Sequence, residues 1–392
     1  MERLTATVQH YDWGDASFIA LLQQRAESGL PEAELWMGAH PAAPSRLEST
    51  GESLSDVIAS DPVGQLGITT AQRFGELPFL AKVLAAQRPL SIQAHPSMSQ
   101  ARAGFEREEA AGIPRDSPRR IYRDANHKPE LICALTSFEA KCGFRSRDQT
   151  QQLFADLGGR GLTDLRELLA SRGTDTDVLA ETLAWLLRSS DETVERLVSV
   201  MLDAVLDHGP TGPFARDLAW FGEIAALYPG DIGCVVSLLL NHVVLEPGQA
   251  VFLGAGNLHA YLRGAGIELM ANSDNVVRCG LSSKHIDVEE LLSVADCTPT
   301  VAPIQDAAGC IHTFEAPVPE FSLSRVAVGS DARLQVDGPE IVVVTEGIVE
   351  FTTSDGQIIA AEAGVPLWVR ASDEGYVASG DGVFYRASVG RI

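Results

Sequence analysis

The sequence predicts a mainly β protein interrupted by one all-α block. Three observations carry this reading. Short strand-like runs separated by turns fill the first 95 residues. Leucine and valine then recur at three- and four-residue spacing across residues 146–229. From about residue 231 strands and glycine turns return and continue to the end.

The elements follow in order. Gly75-Glu76-Leu77-Pro78 is a turn ahead of a strand at Phe79-Leu80-Ala81-Lys82-Val83-Leu84-Ala85, and residues 90–95 form another. Residues 98–111 read as a helix, with Met98, Ala101, Phe105 and Glu109 at helical spacing. In the α block, Leu153, Leu157, Leu165, Leu183, Leu197 and Met201 belong to the repeating apolar set. Gly158-Gly159, Gly173 and Pro210 mark its breaks. Leu245-Glu246-Pro247-Gly248-Gln249 is a turn before the strand Ala250-Val251-Phe252-Leu253. Residues 300–392 fit a small jelly-roll barrel, with turns at Glu346-Gly347, Asp355-Gly356 and Ala363-Gly364. The expected division is residues 1–145 and 230–299 as two parts of one domain, 146–229 as an inserted helical domain, and 300–392 as a C-terminal barrel.

With 392 residues the chain exceeds one ordinary core. No apolar run reaches about 18 residues, and the first ten residues lack the apolar stretch of a secretion signal. The cytoplasm is the expected location, with no membrane partner. The formal charge is −23, from 30 basic and 53 acidic residues, which argues against a nucleic-acid partner. An anionic ligand would need a locally basic site, so the few cations near candidate ligands are informative. Six cysteines, at 133, 142, 234, 279, 297 and 310, form no C-x-x-C pair and are expected to be buried free thiols.

Three polar runs stand out from their apolar surroundings: Ser91-Ile92-Gln93-Ala94-His95-Pro96, His127-Lys128-Pro129-Glu130-Leu131 and Gly256-Asn257-Leu258-His259-Ala260-Tyr261. On a strand, residues two apart share a face, so Ser91, Gln93 and His95 project together while Ile92 and Ala94 face away. Lys128 and Glu130 have the same relation around Pro129. Gln93, His95, Glu130 and His259 make a nitrogen and oxygen donor set without a thiolate. Zinc accepts such a set, and so do manganese, iron and cobalt. With one carboxylate among the donors, the ion keeps a net positive charge and can polarise a carbonyl. Each residue taken singly is more often structural. His10, His40, His127, His208, His242, His285 and His312 compete as ligands on composition alone. If residues 270–278 are extended, Asn272, Asp274, Val276 and Arg278 share one face. Arg278, Lys82, Lys128 and Lys284 are then candidate cations for a phosphate or a developing oxyanion.

These runs, with Tyr11-Asp12-Trp13-Gly14, Ala33-Glu34-Leu35-Trp36-Met37-Gly38-Ala39-His40-Pro41 and Asn272-Ser273-Asp274-Asn275-Val276-Val277-Arg278, resemble type I mannose-6-phosphate isomerase. The resemblance implies a zinc-dependent cupin with a catalytic barrel and a metal-free, cupin-like C-terminal barrel. It also implies interconversion of mannose 6-phosphate and fructose 6-phosphate through a cis-enediol. It carries Gln93, His95, Glu130 and His259 over as ligands of one Zn2+ per chain, and Arg278 as the catalytic arginine. Ser91, Lys128 and Lys284 match substrate or phosphate positions, and Tyr261 and Asp274 match pocket positions. Lys82 and His127 match motif positions whose roles are less fixed. Asp274, His127, Lys128 and a water on the metal are the candidate proton carriers, with Asp274 preferred. The run Cys279-Gly280-Leu281-Ser282-Ser283-Lys284 departs from the family's usual Ala and Thr-Pro. The partner implied is a small sugar phosphate, and the chain is expected as a monomer or a dimer. Two rival readings are a non-catalytic sugar-phosphate-binding cupin and a cupin isomerase or epimerase of another sugar.

Overall fold

In the computed structural model of the chain, described over residues 1–158, 160–209 and 211–390, the alternating segments build two large antiparallel sheets. The first has eleven strands. Its organising element is the strand His259–Ala271, which takes part in both faces of a barrel. The first half pairs with Phe138–Phe144 and meets Gln93. The second half pairs with Phe79–Ala86 and Glu130–Ala134. The register shifts between Tyr261 and Arg263, and Gly264 follows with φ 120°. A Cβ there would lie 2.6 Å from the Ser137 carbonyl oxygen, so only glycine makes this corner.

The helical block forms as expected, with α-helices Arg147–Leu157, Thr163–Leu169, Asp175–Leu187, Asp191–His208 and Ala215–Leu227. Ser146, Thr174 and Ser190 cap three of them by accepting backbone N–H groups. Gly158 ends the first helix, and Gly173 lies between two others. Gly159 and Pro210 lie outside the described residues. Apolar residues of these helices share one core with Ile92, Ala94, Val277 and Leu258 from the barrel. The strand Ile92–Ala94 therefore turns its apolar side to the helices.

A buried ionic group also joins the two parts. Asp217 of helix Ala215–Leu227 accepts from Arg145 at 2.6 Å and from Lys141, whose side chain is fully buried. Removing one partner leaves an uncompensated buried charge. Asp217→Ala is expected to destabilise the fold by about 3–5 kcal/mol in denaturant unfolding. A variant as stable as the parent would show that Lys141 does not depend on Asp217.

The second sheet has nine strands and includes Ser322–Val328, Glu340–Thr353, Pro366–Val369 and Gly375–Ser388. One expected turn is corrected here. Glu346-Gly347 is not a turn. Glu340–Thr353 is one continuous strand with a bulge between Val344 and Glu346. Gly347, at φ 70°, makes the bend, and a Cβ there would overlap the Asp381 carbonyl. The N-terminal strand Glu2–Thr5 leaves the sheet that follows it in sequence and pairs with Pro366–Val369 of the second sheet. Both sheets share a core in which Leu35, Phe79, Leu131 and Ile267 meet Leu323, Ile341, Trp368 and Tyr385. All six cysteines are free. Five are buried, but Cys310 is exposed, against expectation. Among the described residues no helix is long and apolar enough to cross a membrane.

Candidate metal centre and cleft

Three segments distant in sequence converge because of the strand register. Gln93 lies opposite His259 on one side and Arg278 on the other. Glu130 opens the strand Glu130–Ala134, opposite Leu253 and Met270. The donor atoms of His95, Glu130 and His259 lie within 4.8 Å of one another, and all three residues are buried. Among the described residues this is the one such histidine, cysteine and carboxylate group.

The hydrogen bonds around the group orient it toward a cation. His95 Nδ1 donates to the Asn275 carbonyl at 2.8 Å, and His259 Nδ1 donates to the Asn257 carbonyl at 3.0 Å. Those bonds fix the tautomer in which each Nε2 carries a lone pair. The two Nε2 atoms face Glu130 at 3.3 and 3.4 Å. Even so, His95 Nε2, His259 Nε2 and Glu130 Oε2 are buried without a hydrogen-bond partner. Orphaned buried groups of this kind are costly unless something binds them, and a dication satisfies all three. Burial pushes His95 down to about 4 despite Glu130, so the ring is neutral, as a ligand must be. Burial alone would raise the Glu130 carboxyl, but Lys128 and the two imidazoles hold it well below its usual range.

The remaining candidates divide into three groups. Arg278 and Lys284 have no carboxylate within 4.0 Å, and neither has Arg123, which the sequence reading passed over. This holds among the described residues, in a chain with 53 acidic side chains. Burial and the charge of Arg123 lower Arg278, and burial, Arg278 and Arg123 lower Lys284, so the three cations repel one another. Asp274 and Ser91 also border this region. The chain is not a strand through Asp274, because pairing stops at Ala271 and resumes at Val277. The alternation survives nonetheless: Ser273, Asn275 and Val277 are buried, while Asp274 is exposed and Arg278 half-buried. His40 Nδ1 accepts the Ala42 amide at 3.2 Å, which leaves its Nε2–H facing Asp274 Oδ1 at 3.6 Å. The facing His40 ring, then Lys128 and Arg123, hold Asp274 below its usual range, although its partial desolvation opposes them. The Ser91 hydroxyl points at the Gln93 amide oxygen at 3.5 Å.

The third group is already engaged. Lys128 Nζ lies 2.9 Å from Glu130 Oε1. His127 Nε2 meets Glu320 Oε1 at 2.9 Å, in the segment leading into the second sheet. Lys82 is buried between Glu268 at 2.9 Å and Glu34 at 3.3 Å, so its charge is spent on two carboxylates. Burial alone would lower its ammonium, yet Glu268 and Glu34 hold it above its ordinary value. Tyr261 is buried beside His259, with ring centroids 5.9 Å apart. Of the competing histidines, His10 bonds the Pro31 carbonyl, His242 bonds Glu139, and His312 packs on Phe314. His285 is exposed, and the side chain of His208 lies outside the described residues.

A jelly-roll barrel whose buried imidazoles and carboxylate meet beside unpaired cations belongs to the class of metal-binding cupins. Residues 1–147 match the family model of the phosphomannose isomerase type I catalytic domain. Over 334 residues the chain is 41% identical to the mannose-6-phosphate isomerase of Escherichia coli, covering 83% of each chain. It is 37% identical over 393 residues to that of Salmonella typhimurium, covering 97% of this chain and 98% of the other. A crystal structure of mannose 6-phosphate isomerase bound with zinc and yttrium superposes with a TM-score of 0.91 at 35% identity, each chain 100% covered. The chain therefore belongs to the type I mannose-6-phosphate isomerase family.

Proposed function

We infer that this enzyme interconverts D-mannose 6-phosphate and D-fructose 6-phosphate through a cis-enediol. The observation that carries this reading is the orphaned His95, Glu130 and His259 group beside unpaired Arg278, in a chain similar along its length to zinc-bound isomerases. His95, Glu130 and His259, with Gln93 as the fourth donor, would hold one zinc ion, which supplies a Lewis acid toward the sugar's oxygens.

The protein's own groups do the rest. Arg278 offers a planar fork of donors to the oxygen that becomes anionic in the enediol. Lys284 and Ser91 bind the phosphate, and relief of the repulsion among Lys284, Arg278 and Arg123 favours a dianion there. Asp274 takes the proton from C2 of the open-chain aldose and returns it to C1. It is suited to this because His40 keeps it ionised, whereas Lys128 and His127 are held by Glu130 and Glu320. Lys82 and Tyr261 act from behind the ligands by filling and neutralising the barrel interior. The reading keeps residues 1–145 and 230–299 as the catalytic unit, 146–229 as the helical insertion and 300–392 as the second barrel, joined there by Glu2–Thr5. It places the enzyme in the cytoplasm, where six unpaired thiols suit a reducing environment.

A coupled assay with mannose 6-phosphate tests the function. Dialysis against a chelator is expected to abolish turnover and added zinc to restore it. Full turnover by protein verified to hold no metal would overturn the reading.

A further inference from the structure

Asn275 is fully buried and ties together parts of the site that the sequence keeps far apart. Its main-chain oxygen accepts the Nδ1–H of the ligand His95 at 2.8 Å. Its side-chain oxygen accepts the backbone N–H of Arg123 at 2.8 Å and of Asp124 at 3.3 Å. Its side-chain nitrogen donates to the carbonyls of Asp124 and Asn126, both at 2.8 Å. Its own N–H donates to Ser273 Oγ at 3.2 Å, and that hydroxyl donates to Asp124 Oδ1 at 2.9 Å. The loop held in this way carries the cation Arg123 and runs directly into Lys128 and Glu130. One residue thus sets both a metal ligand and a cationic loop.

We propose that Asn275 is a positioning residue for the isomerisation, fixing the metal ligand His95 and the Arg123 loop at one separation. This rests on the isomerase reading above. A hexose phosphate presents its reacting carbons at one end and its charge at the other, so the metal and the cations must keep a set distance. A misplacement of about 1 Å can cost about a hundredfold in rate. A buried amide that merely satisfied its own polar groups would stabilise the fold without tuning either end.

The test uses the zinc-loaded full chain with Asn275→Ser, which removes the amide and leaves the backbone oxygen for His95. Zinc affinity, read by competition with a chelator, is expected to fall about tenfold. KM for mannose 6-phosphate and the inhibition constant for inorganic phosphate are each expected to rise about tenfold, as two or more hydrogen bonds are lost. A folded variant with all three within twofold of the parent overturns the proposal, even if its melting temperature drops. Where Asn275→Ser does not fold, Ser273→Ala decides. It removes the hydroxyl that links Asn275 to Asp124 in the same knot and is expected to shift the same three quantities about threefold, and no shift overturns the proposal. The parent enzyme's own turnover is the control: its absence would count against the isomerase reading instead.

Discussion

His259→Ala is expected to abolish turnover by releasing the metal. His259 sits opposite Gln93, and its Nε2 faces Glu130 at 3.4 Å without a hydrogen-bond partner. The ring is nearly inaccessible to solvent, so water cannot easily stand in for it. The change leaves one imidazole, one carboxylate and one amide, too few donors for tight zinc binding. A Lewis acid contributes several kcal/mol to such chemistry, and losing about 4 kcal/mol slows turnover by about a thousandfold. Elemental analysis should find substoichiometric zinc in a protein with the parent's secondary structure. A variant that keeps a full equivalent of zinc and normal turnover would remove His259 from the ligand set.

The second large effect is expected at Arg278. Arg278 pairs with Gln93 across the strands, is half-buried and has no carboxylate within reach among the described residues. Holding an unpaired cation beside Arg123 and Lys284 is unfavourable, and the arrangement makes sense if negative charge develops there during the reaction. Deleting one such donor typically costs about a hundredfold to a thousandfold in kcat. Arg278→Ala should show that loss in kcat, with a smaller change in KM and normal zinc content. Arg278→Lys should recover only part of it, because an ammonium lacks the planar fork. A normal kcat with only a raised KM would reassign Arg278 to phosphate binding.

Local pattern made much of this legible. Alternation between two prolines gave the faces of residues 91–95, and Ile92 and Ala94 are indeed buried against the helices. Three- and four-residue spacing gave the helical block. What stayed hidden depends on contacts between residues distant in sequence. Lys82 was visible as a lysine in an apolar strand, but its partners Glu34 and Glu268 lie 48 and 186 positions away, so its buried ion pairs could not be read from the strand. Glu346-Gly347 carries a turn's composition, yet the same left-handed glycine serves a bulge when a partner strand continues past it. Glu2–Thr5 crosses to the second barrel because its pairing partner lies near the other end of the chain. His40, Asn275 and Arg123 gave no signal of their own role, since two act through backbone groups or neighbours, and Arg123 is notable only for lacking an acid.

The support beneath the strand Ile92–Ala94 limits how far this enzyme can be trimmed. Residues 146–229 look dispensable, since none of the proposed donors comes from them, and a shorter version would be attractive for engineering. Excising them would strip the outer side of the segment bearing Gln93 and His95, leaving Ile92, Ala94 and Val277 open to water. A minimised isomerase would need a replacement apolar cover there before its ion could be retained.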